Sequence, residues 1–278
     1  MPTAQAGPVR IEYETLGDRR PEPAAVLLVA GLSDQLVYWP DRFCERLARR
    51  GRFVIRYDHR DVGKSSRVEA EYGLDDMAAD GIAVLDALGV ERVNVVGNSL
   101  GGMIAQRLAI VHPEPLATMT LMSTLGDFSM LEMGPEVMGP LMTPPAPGRD
   151  GFAEWYLNGM RVGGTPGVDE SFIRGIAHAS FDRGHDAMGV ARQMTAATRA
   201  GSWFEDLTSV DVPTFVIHGG ADRVVPLGHG EALAAAIPGA ELWVLPDRAH
   251  DLPWGVEDDV ADRIGAFIDR HEGDPRGA

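Results

Sequence analysis

The stretch Val95-Val96-Gly97-Asn98-Ser99-Leu100-Gly101-Gly102 leaves an apolar run and turns into small residues around a single serine. It fits the pattern G-x-S-x-G, in which a sharp turn between a strand and a helix holds a serine hydroxyl exposed above a sheet. Glycine and serine are also common in ordinary turns, so the pentapeptide alone is compatible with a serine that has no special role. The elements on either side of it decide between the two interpretations.

Six short apolar runs, rich in β-branched residues, predict strands that are buried on both faces. They cover residues 25–30, 53–58, 93–96, 119–122, 214–218 and 242–245. Helical patterns separate the runs: an apolar stripe at residues 74–88 ends at Gly89, and another helix is predicted over 100–111, directly after the serine. Strand and helix in alternation predict an α/β fold whose mostly parallel central sheet is flanked by helices.

One region interrupts this alternation. No strand is predicted from about residue 126 to residue 205, where helical patterns follow a segment rich in Met, Pro and Gly. We therefore predict a core formed by residues 1–125 and 206–278, with residues 126–205 inserted as a helical cap, or lid.

Composition excludes several classes of function. A formal net charge of −16 disfavours nucleic acid and anionic membrane surfaces, because binding to either depends on clusters of Lys and Arg. Cys44 is the single cysteine, which excludes an intramolecular disulfide and a thiolate metal cluster. Without a signal-peptide pattern or a long apolar run, a cytoplasmic protein is expected, as a monomer or a homodimer.

Two further residues complete the chemistry that a serine nucleophile needs. A serine hydroxyl reacts poorly near neutral pH unless a base accepts its proton and a carboxylate orients that base. Asp222 follows the predicted strand 214–218 and His250 follows the predicted strand 242–245, which places both at the edge of the sheet where α/β folds build sites. The chain order Ser99, Asp222, His250 is the order expected for a triad on such a sheet.

Other candidates for these roles are weaker. Asp127, just beyond the predicted strand 119–122, competes with Asp222 for the role of the acid. The remaining histidines lack the spacing of a helical metal site, so no metal is predicted. Gly63-Lys64-Ser65 imitates the end of a phosphate-binding loop, but its first glycine would fall on Asp58.

Together these residues resemble the α/β-hydrolase superfamily over essentially the whole chain, and the resemblance rests on the Ser99 turn and on the loops of Asp222 and His250. The segment Arg56-Tyr57-Asp58-His59-Arg60-Asp61-Val62-Gly63-Lys64-Ser65 resembles the aclacinomycin methylesterase-like esterases, which remove a methyl ester from an anthracycline polyketide. We interpret this segment as structural, bracing loops near the site.

The resemblance implies a mechanism without cofactor or metal. His250 removes the proton of Ser99, and the backbone N–H groups of Leu32 and Leu100 form the oxyanion hole. The family often has His-Gly where this chain has Ala30-Gly31, so the bracing of the oxyanion loop is expected to differ.

The expected function is hydrolysis of a carboxylic ester, a methyl ester or lactone included, of a hydrophobic small molecule. Gly31, Met130, Met133 and Trp155 are the predicted substrate-binding residues, although the methionines equally fit a role in packing the lid onto the core. The turn Gly-Asn-Ser-Leu-Gly-Gly is also similar to that of carbon–carbon bond hydrolases. A lyase, an acyltransferase, a cofactor-free perhydrolase and a non-catalytic binding protein remain alternatives.

Overall fold

The computed structural model describes residues 2–20 and 24–271, and within them eight strands form a single sheet. In chain order the strands are β1 (Thr3–Ala6), β2 (Val9–Leu16), β3 (Ala25–Val29), β4 (Val54–Tyr57), β5 (Val93–Asn98), β6 (Leu116–Met122), β7 (Thr214–Gly219) and β8 (Glu241–Leu245). Their order across the sheet is β1-β2-β4-β3-β5-β6-β7-β8. All six predicted strands are present.

The sheet is mostly parallel, as predicted. Strands β4, β3, β5, β6, β7 and β8 run parallel, whereas β1 pairs antiparallel with β2 and β2 pairs antiparallel with β4. The β1–β2 hairpin was not predicted. The alternation of apolar and polar residues from Val9 to Glu14 is the pattern of a strand, but it contains no continuous apolar run of the kind used to predict the other six.

Within the described part of the chain, ten α-helices connect and cover the strands. They are α1 (Asp41–Arg49), α2 (Leu74–Leu88), α3 (Leu100–Val111), α4 (Pro135–Met142), α5 (Arg149–Gly163), α6 (Glu170–Arg183), α7 (Ala187–Arg199), α8 (Phe204–Leu207), α9 (Leu227–Ala236) and α10 (Glu257–His271). The bounds of α2 and α3 agree with the sequence prediction. Gly89 ends α2 in the left-handed conformation, with φ of 62°, which glycine adopts without a steric penalty.

The apolar core lies on both faces of the sheet. In β3 successive residues alternate between the two halves: Leu27 packs on one face with α2 and α3, and Leu28 packs on the other with α1 and α10. Every residue of β3, β4 and β5 is buried, which confirms the prediction for the middle of the sheet. Strand β8 differs because it lies at the edge, and Leu242 there is partly exposed.

Helices α4 to α8 lie in the chain between β6 and β7, and two of them, α6 and α7, contact the core through buried charges. Asp58, immediately after β4, is fully buried and accepts hydrogen bonds from the backbone N–H groups of Leu36 and Lys64 at 2.8 and 2.9 Å. The Asp58 carboxylate also accepts a hydrogen bond from the inserted helices, because the guanidinium of Arg183 in α6 donates to it at 2.6 Å. The carboxylate therefore joins the first part of the chain to the inserted helices.

A second buried carboxylate makes a similar connection. Asp61, with φ of 74°, accepts from the Val68 N–H and the Tyr72 hydroxyl, each at 2.8 Å. Arg192 of α7 donates to both of its oxygens, at 2.7 and 2.9 Å. These contacts agree with the interpretation of the 56–65 segment as a structural brace.

We expect the Arg183→Met variant to lower the free energy of unfolding by about 3 kcal/mol, because the substitution leaves Asp58 buried without its cationic partner. The matched control is Arg149→Met, which removes the exposed ion pair between Arg149 and Asp182 on the same group of helices. The denaturation midpoint of the control should stay close to that of the parent protein. Equal midpoints for both variants would show that the Asp58–Arg183 pair does not stabilise the fold.

Among the described residues, no helix combines the length and the apolar character needed to cross a bilayer.

Candidate active site

Ser99 occupies the turn between β5 and α3 in a strained backbone conformation, with φ of 52° and ψ of −118°. Two glycines make this turn possible. A Cβ atom on Gly97 would lie 2.2 Å from the Gly101 carbonyl oxygen, and one on Gly101 would lie 2.0 Å from the Val29 carbonyl oxygen. Since such contacts are far shorter than van der Waals separations, both positions require glycine. The Ser99 N–H also donates to the Met122 carbonyl at 2.9 Å, which ties the turn to β6.

The structure brings Ser99, His250 and Asp222 together. The Nε2 atom of His250 lies 3.0 Å from the Ser99 Oγ, and the Nδ1 atom lies 2.8 Å from the Asp222 Oδ2. The other oxygen of Asp222 accepts from the backbone N–H groups of Val224 and Val225, at 2.9 and 2.8 Å. The carboxylate is thus held on one side by the backbone and presents its second oxygen to the imidazole.

Asp127, the competing candidate for the acid, is committed elsewhere. Its Oδ1 accepts from the backbone N–H of Ser129 at 2.9 Å and from the hydroxyl of Ser129 at 2.6 Å, which caps a short helix at Phe128–Met130. These hydrogen bonds hold the pKa of Asp127 below its usual range. It is Asp222 that is hydrogen-bonded to the His250 ring.

Opposing effects set the pKa of His250. Burial lowers it, but the charge of Asp222 and the hydrogen bond to that carboxylate raise it more, so the net pKa lies above the ordinary value. The ring is therefore a stronger base than a free histidine and becomes protonated at a correspondingly higher pH. A base of this kind accepts a proton from a nearby hydroxyl, and the negative charge of Asp222 then stabilises the protonated ring.

The loop after β3 passes directly over the serine. A Cβ atom on Gly31 would lie 3.5 Å from the Ser99 Cβ and 2.8 Å from the Asp34 Oδ2, so these groups line one small space. The loop is held by α7, because the Ser33 N–H donates to the Gln193 Oε1 at 3.0 Å. Leu32 follows Gly31 in this loop, and Leu100 follows Ser99 as the first residue of α3, so the role of both as oxyanion donors stays a prediction.

The Ala30 carbonyl has a partner that the sequence did not suggest. His59, almost fully buried, places its Nε2 2.9 Å from the Ala30 oxygen. Burial lowers the pKa of His59 against the opposing effect of this hydrogen bond, so the ring is neutral and donates from Nε2. A histidine from the segment after β4 thus braces the loop where the family often has a histidine in the loop itself.

The predicted substrate-binding residues are distributed unevenly. Gly31 lies beside Ser99, as described above. Trp155 packs within the inserted helices, against Phe152 at 5.5 Å and His185 at 6.1 Å between ring centroids. Met130 is 63% exposed and Met133 is partly buried. The ring contacts of Trp155 lie within these helices, and the role of Trp155 and of the methionines in substrate binding stays a prediction.

Two site residues were missed by the sequence analysis. Asp34, three residues after Gly31, accepts a hydrogen bond from the Tyr156 hydroxyl of α5 at 2.9 Å. Burial raises the pKa of Asp34 to about 7, although the hydrogen bond from Tyr156 and the charge of His250 both lower it. The available signal was an ionisable residue inside the predicted oxyanion loop. The contribution of Tyr156, 122 positions away, has no local signature.

A surface cavity also opens at the opposite edge of the sheet, where it is lined by residues such as Ala25, Leu116 and Val212 at or before strand starts. It contains none of the predicted site residues. Ser99, Asp222 and His250 lie instead beyond the carboxyl ends of β5, β7 and β8, where open α/β sheets usually form their sites.

Comparison with known proteins agrees with this fold. A sequence model described as the alpha/beta hydrolase fold matches residues 24–152. The chain is 35% identical to rhodomycin D methylesterase DnrP of Streptomyces peucetius, over 93% of this chain and 94% of that protein. This chain belongs to the α/β-hydrolase family.

Other α/β-hydrolases are similar over nearly the same extent. The chain is 37% identical to the putative carbamate hydrolase RutD of Azorhizobium caulinodans, over 92% of this chain and 91% of that protein. The crystal structure of the enol-lactonase from Burkholderia xenovorans LB400 superimposes with a TM-score of 0.79 at 23% identity, covering 96% of this chain and 100% of that chain. The likeness to the lactonase shows the shared α/β-hydrolase fold.

Proposed function

We propose that this α/β-hydrolase is a serine esterase that cleaves a carboxylic ester of a hydrophobic small molecule, a methyl ester or a lactone included. The observation that carries the proposal is the continuous chain of contacts from the Ser99 Oγ through His250 to Asp222, at 3.0 and 2.8 Å. The similarity to rhodomycin D methylesterase favours a methyl ester among the esters.

In the proposed reaction Ser99 is the nucleophile. Its Oγ attacks the ester carbonyl carbon while His250 Nε2 takes the hydroxyl proton, and the carbonyl π electrons move to the oxygen. Collapse of this intermediate expels the alcohol, which receives the proton from His250 and leaves an acyl-enzyme on Ser99. Water, activated by the same ring, then releases the acid. Asp222 keeps the ring in the tautomer that presents a lone pair to Ser99.

The negative oxygen of the intermediate needs hydrogen-bond donors. We assign this role to the backbone N–H groups of Leu32, which follows Gly31 in the loop beside Ser99, and of Leu100, which follows Ser99 at the start of α3. One such donor typically stabilises the transition state by about 3 to 4 kcal/mol. Backbone groups suit this role because the loop of Leu32 is held in place through Ser33 and Gln193.

The inserted helices are proposed to act as a cap over the reacting centre, with residues 126–205 as its limits. Tyr156 of α5 contacts Asp34. The Gly163 carbonyl at the end of the same helix accepts a hydrogen bond from the backbone N–H of His250 at 3.1 Å. Substrate binding by Gly31, Met130, Met133 and Trp155 is part of this proposal, and Tyr156 brings a second aromatic side chain to Asp34.

Product analysis in plain buffer tests the reaction type. With simple methyl esters and lactones, the proposal predicts one equivalent of acid and one of alcohol, or the ring-opened hydroxy acid, with one oxygen from labelled water in the acid. Two fragments without incorporation of water oxygen would indicate a lyase. A peroxy acid formed only with added hydrogen peroxide, and no acid without it, would indicate a perhydrolase, and both results would contradict the proposed esterase.

A further inference from the structure

Asp34 is an acid within the proposed catalytic centre that the triad mechanism does not use. Its two oxygens have different surroundings. Oδ1 accepts from the Tyr156 hydroxyl, whereas Oδ2 lies at the space beside Gly31 that Ser99 also lines. Among the described residues, no side chain hydrogen-bonds to Oδ2. This arrangement suits a neutral carboxylic acid, whose carbonyl oxygen accepts from the phenol and whose hydroxyl oxygen carries the free proton.

The charges around Asp34 favour this neutral form. Among the described residues, the base that faces it is His250, from the loop after β8. The phenols of Tyr156 and Tyr38 flank it from α5 and from the short helix Leu36–Tyr38. Two more carboxylates, Asp222 and Asp251, act on the same Tyr38 and His250 side chains. A third negative charge in this small volume is therefore costly.

We propose that Asp34 takes part in the ester hydrolysis as a neutral acid, donating a hydrogen bond from Oδ2 to the ester oxygen on which negative charge develops. The inference rests on the proposed function. The proton stays on Asp34 throughout: Ser99 loses its own proton to His250, and Asp34 supplies a donor beside those of Leu32 and Leu100. The ionised form would instead place a negative charge next to the oxyanion and oppose its formation.

The protonation states of Asp34 and His250 determine how kcat/KM should change with pH. Because burial raises the pKa of Asp34 to about 7, the acid loses its proton as the pH rises through neutrality. The value of kcat/KM should then fall about tenfold per pH unit on the alkaline side. His250, which must be neutral to act as a base, gives a fall on the acidic side. A serine esterase that lacks a titrating acid at this position would keep its activity on the alkaline side.

The test is the pH profile of kcat/KM for p-nitrophenyl acetate, between about pH 5 and about pH 9. The Ser99→Ala variant supplies the background rate at every pH. Asp34→Asn keeps a neutral donor that does not titrate, so its alkaline fall should disappear and its activity near pH 9 should exceed that of the parent at least tenfold. Tyr156→Phe removes a hydrogen bond that lowers the pKa of Asp34, so the fall should move to higher pH.

Two results would overturn the inference: a parent profile without an alkaline fall, or the same fall in Asp34→Asn. Either result leaves the esterase proposal intact as long as Ser99 is required. Hydrolysis that does not depend on Ser99 would instead contradict the proposed function itself, so the two failures are distinguishable.

Discussion

Replacing Ser99 by Ala should lower kcat for ester hydrolysis by a factor on the order of 10⁶, because the variant has no nucleophile to form the acyl-enzyme. The fold should be unaffected. Removal of one hydroxyl leaves the Ser99 backbone hydrogen bond to Met122 in place, together with the two close glycine approaches around the turn. The measurements are steady-state kinetics on a p-nitrophenyl ester and the thermal unfolding midpoint.

The chain offers a matched control for this substitution. Ser123 follows β6, is fully buried and has a similarly unusual backbone conformation, with φ of 44°. Ser123→Ala should therefore report any general effect of removing a hydroxyl from a strained turn beside the sheet, and its kcat should stay within a few-fold of the parent. Equal losses in both variants would mean that the Ser99 result reflects a structural effect.

Replacing Asp222 by Asn should lower kcat by about 10⁴-fold while the protein remains folded. An amide nitrogen in place of Oδ2 donates to His250 Nδ1, which moves the ring proton to Nε2 and removes the lone pair that accepts the Ser99 proton. The amide oxygen still accepts from the Val224 and Val225 N–H groups, so the loop keeps its two backbone hydrogen bonds. Kinetics and circular dichroism together measure both effects.

Asp127→Asn is the control, because Asp127 is the other acid that follows a strand at this edge of the sheet. Its contacts are with Ser129, so kcat should change only slightly. The opposite pattern, with a large loss for Asp127→Asn and a small one for Asp222→Asn, would contradict the assignment of the acid.

The middle of the sheet could be predicted because its strands are buried on both faces, which leaves a continuous apolar run in the sequence. The turn at Ser99 was predictable for a related reason: two glycines are sterically required there, and the pattern they form is local. Strand β2 was missed because its apolar residues alternate with polar ones, as from Val9 to Glu14, and do not form a continuous apolar run. Helices α9 and α10 were also not predicted.

In the candidate active site, too, some features follow from short stretches of sequence and others depend on contacts between distant parts of the chain. Asp222 and His250 follow predicted strands, so their meeting at one edge follows from topology. Asp34 stands in a predicted loop, but its significance comes from His250, which follows β8, and from Tyr156, which reaches it only after the inserted helices pack on the core. The ion pairs of Asp58 and Asp61 with α6 and α7 fix that packing, and no local pattern encodes pairs more than 100 residues apart.

The most direct test of the account is to treat the purified protein with a fluorophosphonate, which reacts only with an activated nucleophile, and to map the adduct by peptide mass spectrometry. The His250→Ala variant serves as the control. The account predicts a single adduct on Ser99 that is lost in the control, because the hydroxyl is activated only through the 3.0 Å contact with the ring. No adduct on the folded protein, or an adduct on another residue, would contradict it.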